Sequence, residues 1–149
     1  MRNSQSVPDV VHVDDDPSML RLVKHQLAGS YNVCSLTDPT QCIDEIIRTG
    51  SRIALLDIDL GTHSGLDLLR EIKRFDGGIQ VIMLTGIVSM ETILTSMRDG
   101  AEACLFKPMQ NKQELLDVLN EAQRKISRWH QSLRELMDRK REANLLCNS

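Results

Sequence analysis

Four short apolar runs of this chain each end in polar residues whose types could do chemistry together. In chain order these residues are Asp14 with Asp15, Asp57 with Asp59, Thr85 with Gly86, and Lys107 with Pro108. Carboxylates brought close together repel one another unless a cation joins them, and Mg²⁺ prefers oxygen ligands of this kind. A carboxylate beside Mg²⁺, an ammonium group and a hydroxyl can attack phosphorus while the cations offset charge on the phosphoryl oxygens. The residue types therefore describe a phosphoryl-transfer site, provided that the fold brings them together.

Each of these residues also has an ordinary structural interpretation. Aspartates after a strand are common helix caps, and Asp16 before Pro17 fits that role. Threonine is frequent in strands, and a single lysine is usually solvated. Only convergence at one place distinguishes the site from four unrelated strand ends.

The apolar runs alternate with amphipathic stretches, which is the pattern of a parallel sheet covered by helices. Strands are predicted at Asp9–Val13, Tyr31–Leu36, Arg52–Asp57, Ile79–Leu84 and Glu102–Phe106. Helices are predicted at Pro17–Gly29, Asp38–Gly50, Ser64–Phe75 and Ser89–Gly100, and from about Asn111 onward. We expect an α/β fold, a doubly wound five-stranded parallel sheet with five helices and right-handed crossovers. Ligand sites of such sheets lie beyond the carboxyl ends of the strands, where the four polar exits would meet.

Composition limits the classes of function. With 149 residues and a net charge of −3, the chain suits one domain with an appendage and gives no sign of a nucleic-acid or membrane partner. No apolar run reaches about 18 residues, and the start MRNSQS is unlike a signal peptide, so we expect a cytoplasmic protein. The cysteines have neither CxxC nor zinc-finger spacing and are expected to be reduced thiols: Cys34, Cys42, Cys104 and Cys147.

The segments VVHVDDDPSML, ALLDIDLGTHSGLDLLREIK, VIMLTG and GAEACLFKP, in this order, resemble the receiver domain of two-component response regulators over residues 7–127. The resemblance implies the flavodoxin-like fold of the chemotaxis regulators. It also implies that Asp57 accepts a phosphoryl group from a sensor histidine kinase or a phosphotransfer protein. Asp14, Asp15, Asp57 and the backbone carbonyl of Asp59 would hold Mg²⁺, with Asp15 the direct ligand of the acidic pair.

Other roles follow from the same resemblance. Thr85 would bond a phosphoryl oxygen after transfer, and Lys107, directed inward by a cis peptide bond to Pro108, would pair with phosphorylated Asp57. Gly86 would leave space beside the phosphoryl group, and Gly65 would fit a tight turn after the third strand. The switching surface would consist of the fourth helix, the fifth strand and the fifth helix. The domain would be a phosphoacceptor switch more than an enzyme.

The chain departs from the family pattern at three positions. Cys104 stands three residues before Lys107, where an aromatic residue often turns inward on activation, and Phe106 has the wrong strand parity to replace it. Gly61 stands where proline is common, so the loop after Asp57 is expected to be looser. An apolar Ile87 cannot orient a hydrolytic water, which predicts slow autodephosphorylation.

Two other classes of function compete. The spacing of Asp57 and Asp59 also resembles the opening motif of haloacid-dehalogenase-like phosphatases, but their nucleophile lies on the first strand and their acidic pair comes late. No water-activating group for a hydrolytic enzyme is evident beside Asp57. The second competitor is a receiver-like scaffold that dimerises without carrying phosphate, for which the altered position Cys104 is the best support.

The C-terminal segment continues the apolar pattern in alternating steps of three and four. Its stripe comprises Leu119, Ala122, Ile126, Trp129, Leu133 and Leu136. This spacing predicts that the fifth helix continues as a coiled coil and forms the seam of a parallel homodimer. The stripe could instead pack on its own domain, Trp129 could contact another protein, or the rod could lead toward an output domain. We therefore divide the chain into a flexible start at 1–6, a receiver domain at 7–127 and a helical extension at 128–149.

Overall fold

The computed structural model describes residues 6–86 and 89–148, and a five-stranded parallel sheet forms its centre. The strands in chain order are β1 (Asp9–Val13), β2 (Asn32–Leu36), β3 (Ile53–Leu56), β4 (Asp59–Leu60), β5 (His63–Ser64), β6 (Gln80–Thr85) and β7 (Ala103–Phe106). The sheet has the order β2-β1-β3-β6-β7, and all its pairs are parallel. Strands β4 and β5 form a separate antiparallel hairpin in the segment predicted as a loop. The predicted doubly wound sheet is confirmed.

Five helices cover the sheet, and four of them begin within one residue of their predicted starts. They are α1 (Pro17–Leu27), α2 (Cys42–Thr49), α3 (Gly65–Phe75), α4 (Met90–Arg98) and α5 (Lys112–Cys147). The side chains that cap α1, α3, α4 and α5 by accepting a backbone N–H are Asp16, Ser64, Ser89 and Asn111. The exception is α2, since Asp38 caps a short 3-10 turn at Pro39–Gln41 and the α-helix starts only after it.

Alternation along the strands divides the core into two layers. One face of the sheet carries Val10, Leu55 and Leu84, which pack against α1 and α5. The other face carries Val11 and Leu56, which pack against α2 and α3. Because both faces are covered, β3 is buried along its whole length, which explains its continuous apolar sequence.

Helix α5 has two halves with different environments. It contains 36 residues and is about 54 Å long at 1.5 Å per residue. Leu119, Ala122 and Ile126 are buried in the core of their own domain, so the prediction that they form an intermolecular seam is wrong. From residue 127 to 148 every position is exposed, including Trp129 and Leu133. The apolar stripe of α5 is therefore core in its first half and uncovered in its second.

No membrane-spanning helix is present in the part of the chain that the structure describes.

Candidate functional site

The strand exits converge at the carboxyl edge of the sheet. Asp14 follows β1 and Asp57 follows β3, while Thr85 is the last residue of β6 and Lys107 follows β7. Backbone hydrogen bonds continue the ladder one residue past the strands, since Asp57 donates to Val13 at 3.1 Å and Lys107 donates to Thr85 at 2.9 Å. The backbone at Asp57 and Lys107 is therefore held by the hydrogen-bond ladder of the sheet.

Lys107 joins the two buried carboxylates. Its Nζ donates to Asp14 Oδ2 at 2.7 Å and to Asp57 Oδ2 at 2.9 Å. Asp14 is completely buried, and Asp57 is 6% exposed. Partial burial of the ammonium group lowers the pKa of Lys107, but its bonds to both carboxylates outweigh that effect and the net pKa is raised. Lys107 therefore stays charged, and the peptide bond that links it to Pro108 is cis.

Three carboxylates meet closely enough to share one cation. One oxygen from each of Asp14, Asp15 and Asp57 lies within 4.8 Å of the others. The pKa of Asp15 is raised, first by partial loss of its hydration and then by the charges of Asp14 and Asp57. Hard oxygen ligands under mutual repulsion fit a divalent cation such as Mg²⁺. The side chain of Asp59 turns away into the hairpin, where it accepts the Gly61 N–H at 3.1 Å.

Two glycines and a threonine shape the space around Asp57. Thr85 is buried at the edge, 1% exposed. A Cβ on Gly86 would meet no atom of the described residues within 4 Å, so these residues leave open space there. Glycine is needed at position 65 for a different reason from the predicted tight turn, because a Cβ there would lie 1.8 Å from the Asp57 carbonyl oxygen. The start of α3 thus approaches the backbone of Asp57 so closely that only glycine fits.

The altered switch position lies between β7 and α4. Cys104 is half-buried, and burial raises the pKa of its thiol, an effect that the Ser96 hydroxyl partly offsets. Ser96 is the single buried residue of α4, and its hydroxyl also donates to the Thr92 carbonyl at 2.9 Å. Phe106 is 41% exposed and does not take the place of an inward aromatic residue. The prediction about Ile87 lies outside the described residues.

His12 belongs to the surroundings of the site, although the sequence analysis assigned it no role. It lies on β1 two residues before Asp14, is completely buried, and has its Nε2 4.0 Å from Asp14 Oδ2. Burial first, and the charge of Lys107 second, lower its pKa to about 4, so the imidazole is neutral. The sequence did contain a signal for His12. It is a histidine within an apolar strand, and it lies two residues before Asp14, so the two side chains share a face.

Comparison with known proteins agrees with this fold. A family model described as "Response regulator receiver domain" matches residues 10–120, and the chain belongs to that family. The transcriptional regulatory protein ZraR of Klebsiella oxytoca is 29% identical over 102 residues, which are 68% of this chain and 23% of ZraR. The DNA-binding response regulator MtrA of Mycolicibacterium smegmatis is 27% identical over 105 residues, 70% of this chain and 46% of MtrA. The match thus spans less than half of each of these relatives.

Solved structures show the same architecture. A CheY-like receiver domain from Methanospirillum hungatei superposes with a TM-score of 0.76 at 29% identity, covering 83% of this chain and 98% of that protein. NtrX from Brucella abortus also gives a TM-score of 0.76, at 27% identity, covering 89% of this chain and 29% of NtrX. The structure is therefore that of a response regulator receiver domain with an extended last helix.

Proposed function

We propose that this receiver domain accepts a phosphoryl group on Asp57 from the phosphohistidine of a sensor histidine kinase or a phosphotransfer protein. The observation that carries the proposal is the position of Asp57, nearly buried between Lys107 at 2.9 Å and an acidic pair that fits Mg²⁺. Membership of the receiver family supports it. A cytoplasmic location follows from such a donor and is part of the proposal.

The transfer exchanges one bond to phosphorus for another. An Asp57 carboxylate oxygen forms the new P–O bond while the P–N bond to the donor histidine breaks, and the leaving imidazole keeps the electron pair and takes a proton. Mg²⁺ held by Asp14, Asp15, Asp57 and the Asp59 carbonyl would offset negative charge on the phosphoryl oxygens. Lys107 supplies a second positive charge, and its raised pKa keeps it protonated at neutral pH.

Lys107 and Thr85 can also respond to phosphorylation of Asp57. A phosphoryl dianion on Asp57 attracts Lys107 and the Thr85 hydroxyl, which lie at the ends of β7 and β6. Their movement would bias the surface formed by α4, β7 and α5. Since Cys104 and Ser96 occupy the junction of α4 with β7, the bias would act through two small side chains. The names of ZraR and MtrA suggest a transcriptional or DNA-binding output, and an output domain or protein of this kind is proposed here as well.

Intact mass spectrometry tests the acceptor. The protein is incubated with acetyl phosphate and Mg²⁺ beside Asp57→Asn and a matched control, Asp59→Asn, which removes an exposed carboxylate in the same loop. One phosphoryl adduct is expected on the wild type and on the control, and none on Asp57→Asn. No adduct on the wild type under saturating donor would contradict the proposal and favour the unphosphorylated scaffold. Decay of the adduct within seconds would contradict slow autodephosphorylation.

A second function, homodimerisation, is favoured by the uncovered half of α5. Trp129, Leu133 and Leu136 are 66%, 55% and 50% exposed and continue the a/d spacing. Residues 127–148 project about 33 Å at 1.5 Å per residue. A helix of this length is only marginally stable alone in water, so contact with a second copy would stabilise it. The seam proposed here begins at Trp129, because the preceding stripe residues belong to the core.

Light scattering after size exclusion tests the dimer. Leu133→Lys should convert a dimer to a monomer, because it places a charge on the stripe. Leu145→Lys is the matched control, since Leu145 is 71% exposed but lies outside the a/d positions. A wild-type protein that remains monomeric up to high concentration would contradict the proposal.

A further inference from the structure

His12 lies beside the proposed phosphoacceptor site, and its ring nitrogens have no hydrogen-bond partner in the described part of the chain. The side chain is completely buried on the face of β1 that α1 and α5 cover, and neither ring nitrogen has a hydrogen-bond partner among the described residues. A neutral imidazole carries one N–H donor and one acceptor nitrogen. Leaving both nitrogens unpaired inside the protein is unfavourable, so a hydrogen-bond partner for the ring would stabilise this arrangement.

Two groups adjacent to His12 can use its two nitrogens. Asp14 Oδ2 lies 4.0 Å from Nε2, about 1 Å beyond an ordinary hydrogen bond. Ser35 is paired with His12 in the register of β1 and β2, and its hydroxyl is also buried without a partner in residues 6–86 and 89–148. A Ser35 hydroxyl that donates to Nδ1 would place the ring proton on Nε2, facing Asp14.

Asp14 Oδ2 accepts a hydrogen bond from Lys107 in this structure. The ammonium group lies 2.7 Å from that oxygen and 2.9 Å from Asp57 Oδ2, so one cation serves two carboxylates. A phosphoryl dianion on Asp57 would compete for Lys107 more strongly than a carboxylate does, because charge-assisted bonds strengthen with charge. Asp14 Oδ2 would then lose its donor while remaining buried, whereas Oδ1 would keep the Asp16 N–H at 2.9 Å.

We propose that His12 is a positioning residue that donates from Nε2 to Asp14 Oδ2 when Lys107 moves to the phosphoryl group on Asp57. The inference rests on the proposed phosphoacceptor function and adds a residue to it. A neutral donor has a specific advantage at this place: it fixes the orientation of Asp14 without cancelling the negative charge that attracts Mg²⁺. A second cation would compete with the metal.

Binding of beryllofluoride, a phosphoryl mimic, with Mg²⁺ provides the test. His12→Leu removes the donor, whereas His12→Gln keeps an N–H near the position of Nε2. Calorimetric titration should show beryllofluoride bound about tenfold more weakly by the leucine variant, and within about threefold of wild type by the glutamine variant. The leucine variant should unfold at the same temperature as wild type or higher, because it removes an unpaired buried polar group. If His12 had a purely structural role, the leucine variant would unfold at a lower temperature than wild type and would bind beryllofluoride with unchanged affinity.

Nitrogen-15 spectra of the His12 ring give a direct readout on the wild type. Addition of beryllofluoride and Mg²⁺ should shift the Nε2–H signal downfield, as a new hydrogen bond requires. Backbone signals around Asp57 report occupancy independently. A fully occupied site with an unchanged His12 ring, or a leucine variant that binds as tightly as wild type, would overturn this inference alone. Failure of beryllofluoride to bind the wild type at all would overturn the phosphoacceptor proposal with it.

Discussion

The two edges of the parallel sheet hold charged groups in opposite environments. At the carboxyl edge, Asp14 and Asp57 are buried and share Lys107, whose side chain is 20% exposed. At the amino-terminal edge, Arg52 and Asp76 form an ion pair whose side chains are 37% and 39% exposed. Each edge has a cation beside a carboxylate, but water screens only one of them.

This difference in burial and charge balance indicates which edge of the sheet is the functional site. A buried cluster with more carboxylates than cations is unfavourable unless another cation completes it. An exposed one-to-one pair needs no completion and contributes little to stability. Unbalanced, dehydrated charge at one edge is therefore the physical mark of the site, and the following predictions test whether the edges really differ.

The largest contrast is expected from removal of the cation at each edge. Lys107→Met leaves two buried carboxylates facing each other and should lower the free energy of unfolding by about 3 kcal/mol. Arg52→Met should lower it by no more than about 0.5 kcal/mol, because the pair is screened by solvent. Urea denaturation at neutral pH measures both values. Equal losses would mean that the carboxyl edge is an ordinary surface.

Helix α5 connects the two edges and gives the next contrast. Leu119, near the middle of the domain, is completely buried, and Leu119→Ala should lower the free energy of unfolding by about 3 kcal/mol. Leu133→Ala, beyond the amino-terminal edge, should change it by less than about 0.5 kcal/mol in dilute monomer. A large loss for Leu133→Ala that grows with protein concentration would instead report a dimer.

Mg²⁺ binding should give a smaller difference in stability between variants at the two edges than the substitutions above. Mg²⁺ at ten times its dissociation constant should stabilise the folded protein by about 1.4 kcal/mol, and chelation should reverse the gain. Asp15→Asn should abolish the effect because it removes a carboxylate of the cluster. Asp76→Asn, the control at the other edge, should keep it. Thermal unfolding with and without Mg²⁺ measures all three proteins, and a full gain in Asp15→Asn would place the metal elsewhere.

The smallest predicted effects have opposite signs at the two edges. The pKa of Asp76 is lowered, mainly by its bond from Arg52, so its charge stabilises the fold at neutral pH and that benefit disappears as pH falls through the lowered value. The pKa of Asp15 is raised, so its charge opposes folding above the raised value. Without Mg²⁺ at pH 7, Asp76→Asn should lower the free energy of unfolding by a few tenths of a kcal/mol, about the value of an exposed ion pair. Under the same conditions Asp15→Asn should raise it.

The pH series supplies the check on this sign difference. The Asp15→Asn variant should converge on wild-type stability as pH falls below the ordinary pKa of an aspartate. The Asp76→Asn variant should converge only at a still lower pH, because the pKa of Asp76 is lowered in the folded protein. Urea midpoints between pH 3 and pH 7 give the two curves. A loss of stability in both variants at pH 7 would show that Asp15 is held by favourable contacts and not by repulsion.

Much of the fold could be predicted because its signals are local. Apolar runs with covered faces read as parallel strands, and Ser64, Ser89 and Asn111 marked helix starts that the structure reproduces. The start of α2 was misplaced because Asp38 can cap a 3-10 turn as well as an α-helix. The hairpin of β4 and β5 was missed because two-residue strands carry no periodicity.

The candidate site was predicted in part for the same reason. Asp14, Asp57 and Lys107 stand at strand ends, so the topology of a parallel sheet was enough to bring them together. His12 was missed because a histidine within an apolar run looks like an ordinary core residue until its neighbours are known. Gly65 was assigned to a turn because sequence cannot show that α3 approaches the Asp57 carbonyl.

The sequence by itself determined the order of the strands and helices, the family, and the residue types at each strand exit, since these depend on periodicity and spacing along the chain. Only the tertiary structure decided which groups share a proton donor, which charges are dehydrated, and where α5 stops being core. The spacing of three and four is the same on both sides of Ile126, but burial depends on what lies opposite the helix. Periodicity fixes which side chains share a face, and packing decides whether that face is covered.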